Sequence, residues 1–376
     1  MKIAHLQLLP LLSGVQRVSL DELLRLDNKR FEPYLVCKED GPLVSEAKKN
    51  GIKYFFCKSL TRNISLKNDM LSFWYLYKLF KKHRFDVVHT HSSKTGVLGR
   101  VAAKLAGVPK VIHTVHGFAF PAATNIFSKS LYYAMEWIGT RCSDYIICLH
   151  DADRNIVINN LGAKSNKVLI IPNGVDIKKF SPASYVDKIK KRSELNFTNT
   201  TNLIGMVGRL WRQKNPAVFV DAGIELLRKN VNADFVLVGD GELMNELKEK
   251  VEVSGFSSKF HFLGWRDDIP EILSLLDIFV LPSLWEGMPL AILEAQSSGL
   301  PCVVSNIQGN DCLVTNNQDG YLFNPESVSE LADILNTLIA DKEKQINLGK
   351  FARSKITSHF DIDNRIKKMM DLYDSE

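Results

Sequence analysis

The sequence predicts two α/β domains, each a parallel sheet wrapped by helices on both faces. Two observations carry this. Short β-rich runs alternate with helical patterns from end to end, and the alternation occurs twice, on either side of a polar, lysine-rich stretch. The length of 376 residues is also more than one ordinary core fills.

In the first half the strand-like runs are KIAHLQLL, EPYLVCK, DVVHTH, KVIHTVH, DYIICLH and KVLIIPNG. The opening run resembles a signal peptide, but His5 and Gln7 interrupt it and no small-residue cleavage site follows, so it reads as a first buried strand. Between the strands, 71-LSFWYLYKLFKKHRF-85 and GVLGRVAAKLAG have helical periodicity, the latter ending in Gly107 ahead of Pro109. The second half runs NLIGMVG, ADFVLVG, KFHFLG, DIFVLPS, PCVVS and GYLF. The boundaries follow: a first domain over 1–178, a linker over 179–200, a second domain over 201–355, and a tail helix over 356–376 that packs back toward the first domain. Both domains are expected to be doubly wound and to face each other across a cleft, with functional residues just after the strands.

The composition, 45% hydrophobic and 24% charged, is that of a folded protein, and no apolar run is long enough to span a membrane. Residues 1–180 hold 27 Lys and Arg against 14 Asp and Glu, while the remainder is acidic. A basic half fits nucleic acid, an anionic membrane or a solvated face. The cysteines Cys37, Cys57, Cys142, Cys148, Cys302 and Cys312 lack CxxC or framework spacing and read as reduced thiols of a cytoplasmic protein.

Chemistry concentrates in 286-EGMPLAILEAQSSGLPCV-303. Pro289 fits the first helical residue and Gly299 the terminator, giving a helix over about 289–298. Glu286 then lies in the preceding loop and Glu294 in the second turn. If the span were all helix they would stand about 12 Å apart, which exceeds the roughly 5–9.5 Å of carboxylates sharing one glycosidic bond. Two grips on one elongated ligand fit better, with a phosphate between them at the helix N-terminus. The alternative is a capping and a surface glutamate.

In 205-GMVGRLWRQKNP-216, Arg209, Arg212 and Lys214 follow a strand, suited to a diphosphate or simply to a solvated loop. Gly14 in 13-SGVQR-17 would let a phosphate approach backbone, or serve an ordinary turn. His116, at the end of 113-HTVHG-117, should face the cleft and bond a sugar hydroxyl or a developing charge, or else be a satisfied structural histidine. His89 and His91 share a strand face, but no third metal ligand is evident near them. Asp151 and Asp153 read as a helix cap, with cation binding the lesser alternative. The GDGE at 239–242 lacks a third glycine for a dinucleotide fingerprint.

These pieces resemble the retaining, nucleotide-sugar-dependent glycosyltransferases of GT-B architecture with paired glutamates. E-G-x-P followed by E-A-x-x-x-G-x-P, IPNGVD at Ile171–Asp176 with Phe180, and GRLWRQKNP carry the resemblance in that order, over essentially the whole chain. It implies that Glu286 contacts donor-sugar hydroxyls and Glu294 the ribose. Gly287, Met288 and Leu290 would line the donor between them. Arg209 and Lys214 would bind the diphosphate near Gly14, backbone at Trp265 and Arg266 would hold the base, and His116 would lie at the reacting face. Catalytic roles thus fall to His116 and Glu286.

The resemblance further implies sugar transfer from a nucleoside diphosphate, UDP by expectation, without metal or other cofactor. The stretch 71–85 interleaves aromatics with Lys78, Lys81, Lys82, His83 and Arg84. It suggests peripheral docking on the inner membrane face and hence a lipid-linked glycan acceptor of a bacterial surface polysaccharide, or else a core helix with a lysine-rich outer side. No nucleic-acid partner is expected. A nucleotide-sugar epimerase and a non-catalytic nucleotide-sugar-binding protein remain alternatives. Two positions depart from the family pattern: Ser13–Gly14 stands for a glycine pair, and GNDCLV at Gly309–Val314 for Gly-Gly with an acidic residue.

Overall fold

The computed structural model describes residues 1–118, 126–198 and 201–375. They form two compact units, Met1–Asn173 with Asp363–Glu376, and Gly174–Ile362. The first holds a seven-stranded sheet of β1 (Lys2–Leu6), β2 (Glu32–Cys37), β3 (Lys53–Phe56), β4 (Val87–Thr90), β5 (Lys110–Thr114), β6 (Tyr145–Cys148) and β7 (Val168–Ile170). Their order is β3-β2-β1-β4-β5-β6-β7, and every neighbouring pair is parallel. The opening run is therefore a central strand, and Ile3, Ala4, His5 and Leu6 are all buried.

Alternate residues of these strands feed two cores. Ile3, Leu35, Val87 and Ile112 pack with Leu20 and Leu23, with Leu43 and Val44, and with Met369 and Tyr373. Ala4, Val36, Val88 and Val111 pack on the opposite face with Leu76, Leu79 and Phe80 and with Ala102 and Ala103. Burial on both faces is why these strands read as continuous apolar runs. The strand β3 has only four residues and is half exposed, which hid it from the sequence reading.

The second unit holds β8 (Asn202–Val207), β9 (Ala233–Val238), β10 (Phe260–Gly264), β11 (Ile278–Leu281), β12 (Cys302–Ser305) and β13 (Gly320–Phe323). They pair in parallel in the order β10-β9-β8-β11-β12-β13. Each sheet reverses its winding once, between β1 and β4 in the first unit and between β8 and β11 in the second. Such reversals open a crevice beyond the carboxyl ends of the strands.

The segment expected to be a linker is built into the second unit. Its helix Tyr185–Glu194 buries Arg192, which donates to the Leu275 carbonyl and, at 2.7 Å, to Asp277. Lys188 joins it, donating to the Leu276 carbonyl at 2.6 Å and to Asp277 at 2.9 Å, so a lysine-rich sequence conceals its own anchors.

The expected tail helix is two helices, Lys342–His359 and Ile362–Asp374. Between them Asp361 bridges to Val175, and Gly174 lies so close that a Cβ there would meet the Ile362 Cα at 2.6 Å. That approach explains the glycine of IPNG. The last helix belongs to the first unit, where buried Arg365 binds Glu22 and the carbonyls of Ile171 and Pro172.

Candidate active site

In the second unit the loops that follow β8 and β11 meet at the reversal. A 3-10 turn, Arg212–Lys214, follows β8 and directs Lys214 Nζ to Glu286 Oε1 at 2.5 Å. Ser283 Oγ donates to the same carboxylate oxygen at 2.6 Å. The glutamate side chain is 8% exposed and the lysine 18%, so water screens the pair only partly. Backbone fixes the two loops together: Leu284 N donates to the Gln213 carbonyl at 2.8 Å, and Gln213 Nε2 to the Trp285 carbonyl at 2.9 Å. The expected diphosphate cation and sugar-binding carboxylate therefore form one unit rather than standing apart.

Two further loops hold this arrangement. The GDGE segment supports the loop after β8: Leu210 N donates to the Asp240 carbonyl and Leu243 N to the Leu210 carbonyl, each at 3.0 Å. Gly239 has φ +130, and a Cβ on it would lie 2.0 Å from the Gly208 carbonyl, so its glycine serves close backbone packing. The GNDCLV segment supports the loop after β11. Gly309, at φ +95, lies against the Gly287 and Glu286 carbonyls, where a Cβ would come within 2.3 Å. Buried Asn310 donates to the Ser305 carbonyl, and Ser305 Oγ to the Ser283 carbonyl.

The helix of the paired-glutamate stretch spans Leu290–Ser297. Pro289 is the residue before it, extended and without a side-chain cap, one position off the sequence reading. Gly287, Leu290 and Glu294 are half-buried, while Met288 is packed inward. Arg209 lies with its guanidinium carbon 4.9 Å from the Trp211 ring centre. Beyond β10, Trp265 is 58% exposed and Arg266 is clamped on Asp268 by two bonds of 2.8 and 2.5 Å.

In the first unit Gly14 opens the helix Gly14–Arg25, and a Cβ there would meet nothing within 4 Å. The next residue, Val15, lines a cavity of about 190 Å³ with His91, His113, His116 and Glu136. Strand β5 stops at Thr114, so His116 stands on the loop beyond it and not at the strand end. It is not isolated: His116 Nε2 lies 3.3 Å from His91 Nδ1, and His91 Nε2 lies 3.1 Å from His5 Nδ1. His89 and His91 do share a face, with ring centres 4.1 Å apart.

Two side chains with ligand-type atoms that spacing did not reveal lie beside this pair. His5, Glu22, His89 and His91 each offer an atom within 4.8 Å of the others, all buried. Neither His5 nor Glu22 is near the histidine pair in sequence, so no motif could show it. The donors fit a hydrogen-bonded chain better than a cation. His5 is bonded to Ser19, His91 and Tyr373, while Arg365 brings a guanidinium onto Glu22 at 2.5 Å. At the DAD segment, the cap of the helix Asp151–Asn155 is His150, whose Nδ1 accepts from Asp153 N. The Asp153 carboxylate turns back to His150 Nε2 at 3.2 Å, and burial pushes it up to about 6.

Residues 12–179 match the Glycosyltransferase Family 4 model and residues 187–355 the Glycosyl transferases group 1 model. The UDP-Gal:alpha-D-GlcNAc-diphosphoundecaprenol alpha-1,3-galactosyltransferase of Escherichia coli is 50% identical over 99% of this chain and 96% of its own. The N,N'-diacetylbacillosaminyl-diphospho-undecaprenol alpha-1,3-N-acetylgalactosaminyltransferase of Campylobacter jejuni is 29% identical over 93% of this chain and 92% of its own. Anabaena HepE in complex with UDP-glucose superimposes with a TM-score of 0.85 at 22% identity, over 99% of both chains. The chain belongs to the nucleotide-sugar-dependent GT-B glycosyltransferases, with Family 4 and group 1 halves.

The buried histidines make acid stability a readout of this site. Burial, with Arg365 adding to it, holds His5 and His116 down to about 3, and burial with neighbouring rings and guanidinium groups holds His89, His91 and His113 well below the usual range. Unfolded histidines protonate near pH 6.5. Between that pH and about 3 the unfolded state binds more protons, so stability falls as pH falls through this window. Burial raises the Glu22 and Asp153 carboxyls and so opposes the trend, two groups against five. At pH 5, His5 and His116 should each weaken the fold by about 2 kcal/mol relative to pH 7.5. Urea unfolding at the two pH values measures this, and equal midpoints would contradict it.

Proposed function

We propose that the chain transfers galactose from UDP-galactose to a sugar hydroxyl of a glycan carried on a lipid diphosphate, in the assembly of a bacterial surface polysaccharide. The Lys214–Glu286 pair at the winding reversal of the second unit carries this reading, because it is a paired cation and carboxylate where such sheets bind ligands. The substrate class follows the Escherichia coli UDP-galactose transferase, which is similar to this chain over nearly its whole length. These relatives give no support to an epimerase or a non-catalytic binder.

Arg209 and Lys214 bind the donor diphosphate, together with the amides that begin the helix Leu290–Ser297. Glu286 binds hydroxyls of the sugar and Glu294 those of the ribose. Gly287, Met288 and Leu290 line the donor, and backbone at Trp265 and Arg266 holds the base. His116 is assigned to the reacting face and the Gly14 turn to the diphosphate. An incoming diphosphate competes with Glu286 for Lys214, so donor binding frees the carboxylate for the sugar. Transfer proceeds with retention. The C1–O bond to the diphosphate breaks, the acceptor oxygen bonds to C1 on the same face, and its proton passes to the departing phosphate oxygen. Charge developing on the leaving group is met by fixed donors rather than by a metal.

The first unit supports peripheral membrane contact. The helix Leu66–His83 exposes Leu66, Met70, Leu71 and Trp74 on its first turns and Lys78, Lys81 and Lys82 on its last. The helix Ile126–Arg141 exposes Ile126, Phe127, Leu131 and Trp137. Both pack against the helix Ser93–Ala106 between them. Apolar and basic residues together suit an anionic lipid surface. Among the described residues no helix is long and apolar enough to cross a membrane.

Lys214→Ala and Glu286→Ala should each lower transfer about 10²- to 10³-fold while the protein stays folded. Wild-type rates in either, measured with radiolabelled UDP-galactose and a synthetic lipid-diphosphate acceptor, would remove the assignment. Activity should persist in excess chelator, and its loss with recovery on adding a divalent ion would establish a metal requirement. Sedimentation with phosphatidylglycerol vesicles should weaken as salt rises and in Trp74→Ala with Lys81→Ala and Lys82→Ala. Unchanged binding would place the contact elsewhere.

A further inference from the structure

Among the described residues the first unit buries His5, His89, His91, His113 and His150 and half-buries His116, the one imidazole the proposed reaction uses. His91, His5 and His89 join it to the far end of the chain. His116 Nε2 meets His91 Nδ1 at 3.3 Å, His91 Nε2 meets His5 Nδ1 at 3.1 Å, and His5 Nε2 meets the Tyr373 hydroxyl at 3.0 Å. The same hydroxyl meets His89 Nδ1 at 2.8 Å, and His89 Nε2 meets Thr114 Oγ1 at 2.7 Å. Every member except His116 is at most 1% exposed, and Tyr373 is fully buried.

A neutral imidazole has one N–H and one lone pair, so its two hydrogen bonds must run in the same sense. If His116 Nε2–H donates to His91, then His91 donates to His5, His5 to the Tyr373 oxygen, and Tyr373 to His89. In the opposite sense His5 Nδ1–H faces two acceptors, His91 Nε2 at 3.1 Å and Ser19 Oγ at 2.9 Å, so Ser19 and Tyr373 together set the sense at His5. Water cannot substitute for a broken bond at these depths, and an unpaired buried ring nitrogen is costly. The tautomer that His116 shows to the cavity it lines is therefore tied to the two hydroxyls bonded to His5, Ser19 on the first helix and Tyr373 on the C-terminal one.

We infer that His91 is a positioning residue that sets the tautomer and ring orientation of His116, and that His91 takes its own state through His5 from Tyr373 and Ser19. The tautomer statement stands on geometry alone; its effect on transfer rests on His116 lying at the reacting face. His5, Ser19 and Tyr373 thereby acquire a role that their distance from any donor contact conceals.

The test uses the full chain labelled with 15N-histidine, with the His116 signals assigned by His116→Ala. Long-range proton–nitrogen spectra at pH 7.5 should show His116 as a single neutral tautomer. In His91→Gln and Tyr373→Phe its two nitrogen shifts should move toward the average of both tautomers. In the same variants kcat should fall about tenfold with KM for the donor within about twofold. Adding His91→Gln to His116→Ala should cost nothing further, as expected for residues acting as one unit. Unchanged His116 nitrogen shifts in both variants, or full additivity of the two substitutions, would overturn the inference. Should His91→Gln fail to fold, Tyr373→Phe decides alone, since it removes one oxygen and keeps the ring in the core. Wild-type transfer by His116→Ala would instead overturn the reaction role of His116 and leave the hydrogen-bond coupling standing.

Discussion

The contact between Lys214 and Glu286 organises the second unit. A cation and a carboxylate that are this poorly screened must be held together, because removing either partner leaves the other charged and unpaired at a cost of about 3–5 kcal/mol. Four loops converge to hold them. The Gly239 turn props the backbone beneath Lys214, and the Gly309 turn presses on the carbonyls of Glu286 and Gly287. Ser283, Ser305 and Asn310 continue the support inward to the sheet. The position that departs from the family pattern, Gly309-Asn310, is thus part of the same scaffold.

The first unit solves a different problem. Its central strands carry imidazoles where apolar side chains would be expected, and Arg365, Glu22, Arg100 and Glu136 are buried with them. Buried polar groups are tolerable only when bonded to one another. Here Arg100 meets Glu136 at 2.8 Å, Arg365 grips Glu22, and the rings remain neutral. The result is a polar seam through a β-sheet core, at the edge of which His116 faces the cavity.

Much of this was legible from the sequence. Alternating strands and helices gave the two parallel sheets, because strand and helix periodicities differ strongly and each element is long enough to show its own. The paired-glutamate stretch, Lys214 and Arg209 were visible because strand-to-loop transitions mark where such sheets bind ligands. What stayed hidden was set by tertiary contact. Lys214 and Glu286 lie on loops whose pairing depends on which strands are neighbours. The helix Tyr185–Glu194 looks like a linker until Arg192 is seen to be buried. Nothing local connects His91 with His5, or either with Tyr373; their register across β1 and β4, where His5 stands opposite His89, appears only once the strands pair. Ser283, three residues before Glu286, could have been inferred from spacing.

The helix Ile362–Asp374 supplies Arg365, Met369, Leu372 and Tyr373 to the core of the first unit, although the entire second unit lies between it and that unit in the chain. During synthesis from the amino terminus, the first sheet can assemble its strands early but lacks these side chains. Glu22 and the histidines must wait, partly unpaired, until the second unit has been made. The order of manufacture therefore differs from the order of domains, and the half that is translated first is the half that finishes last.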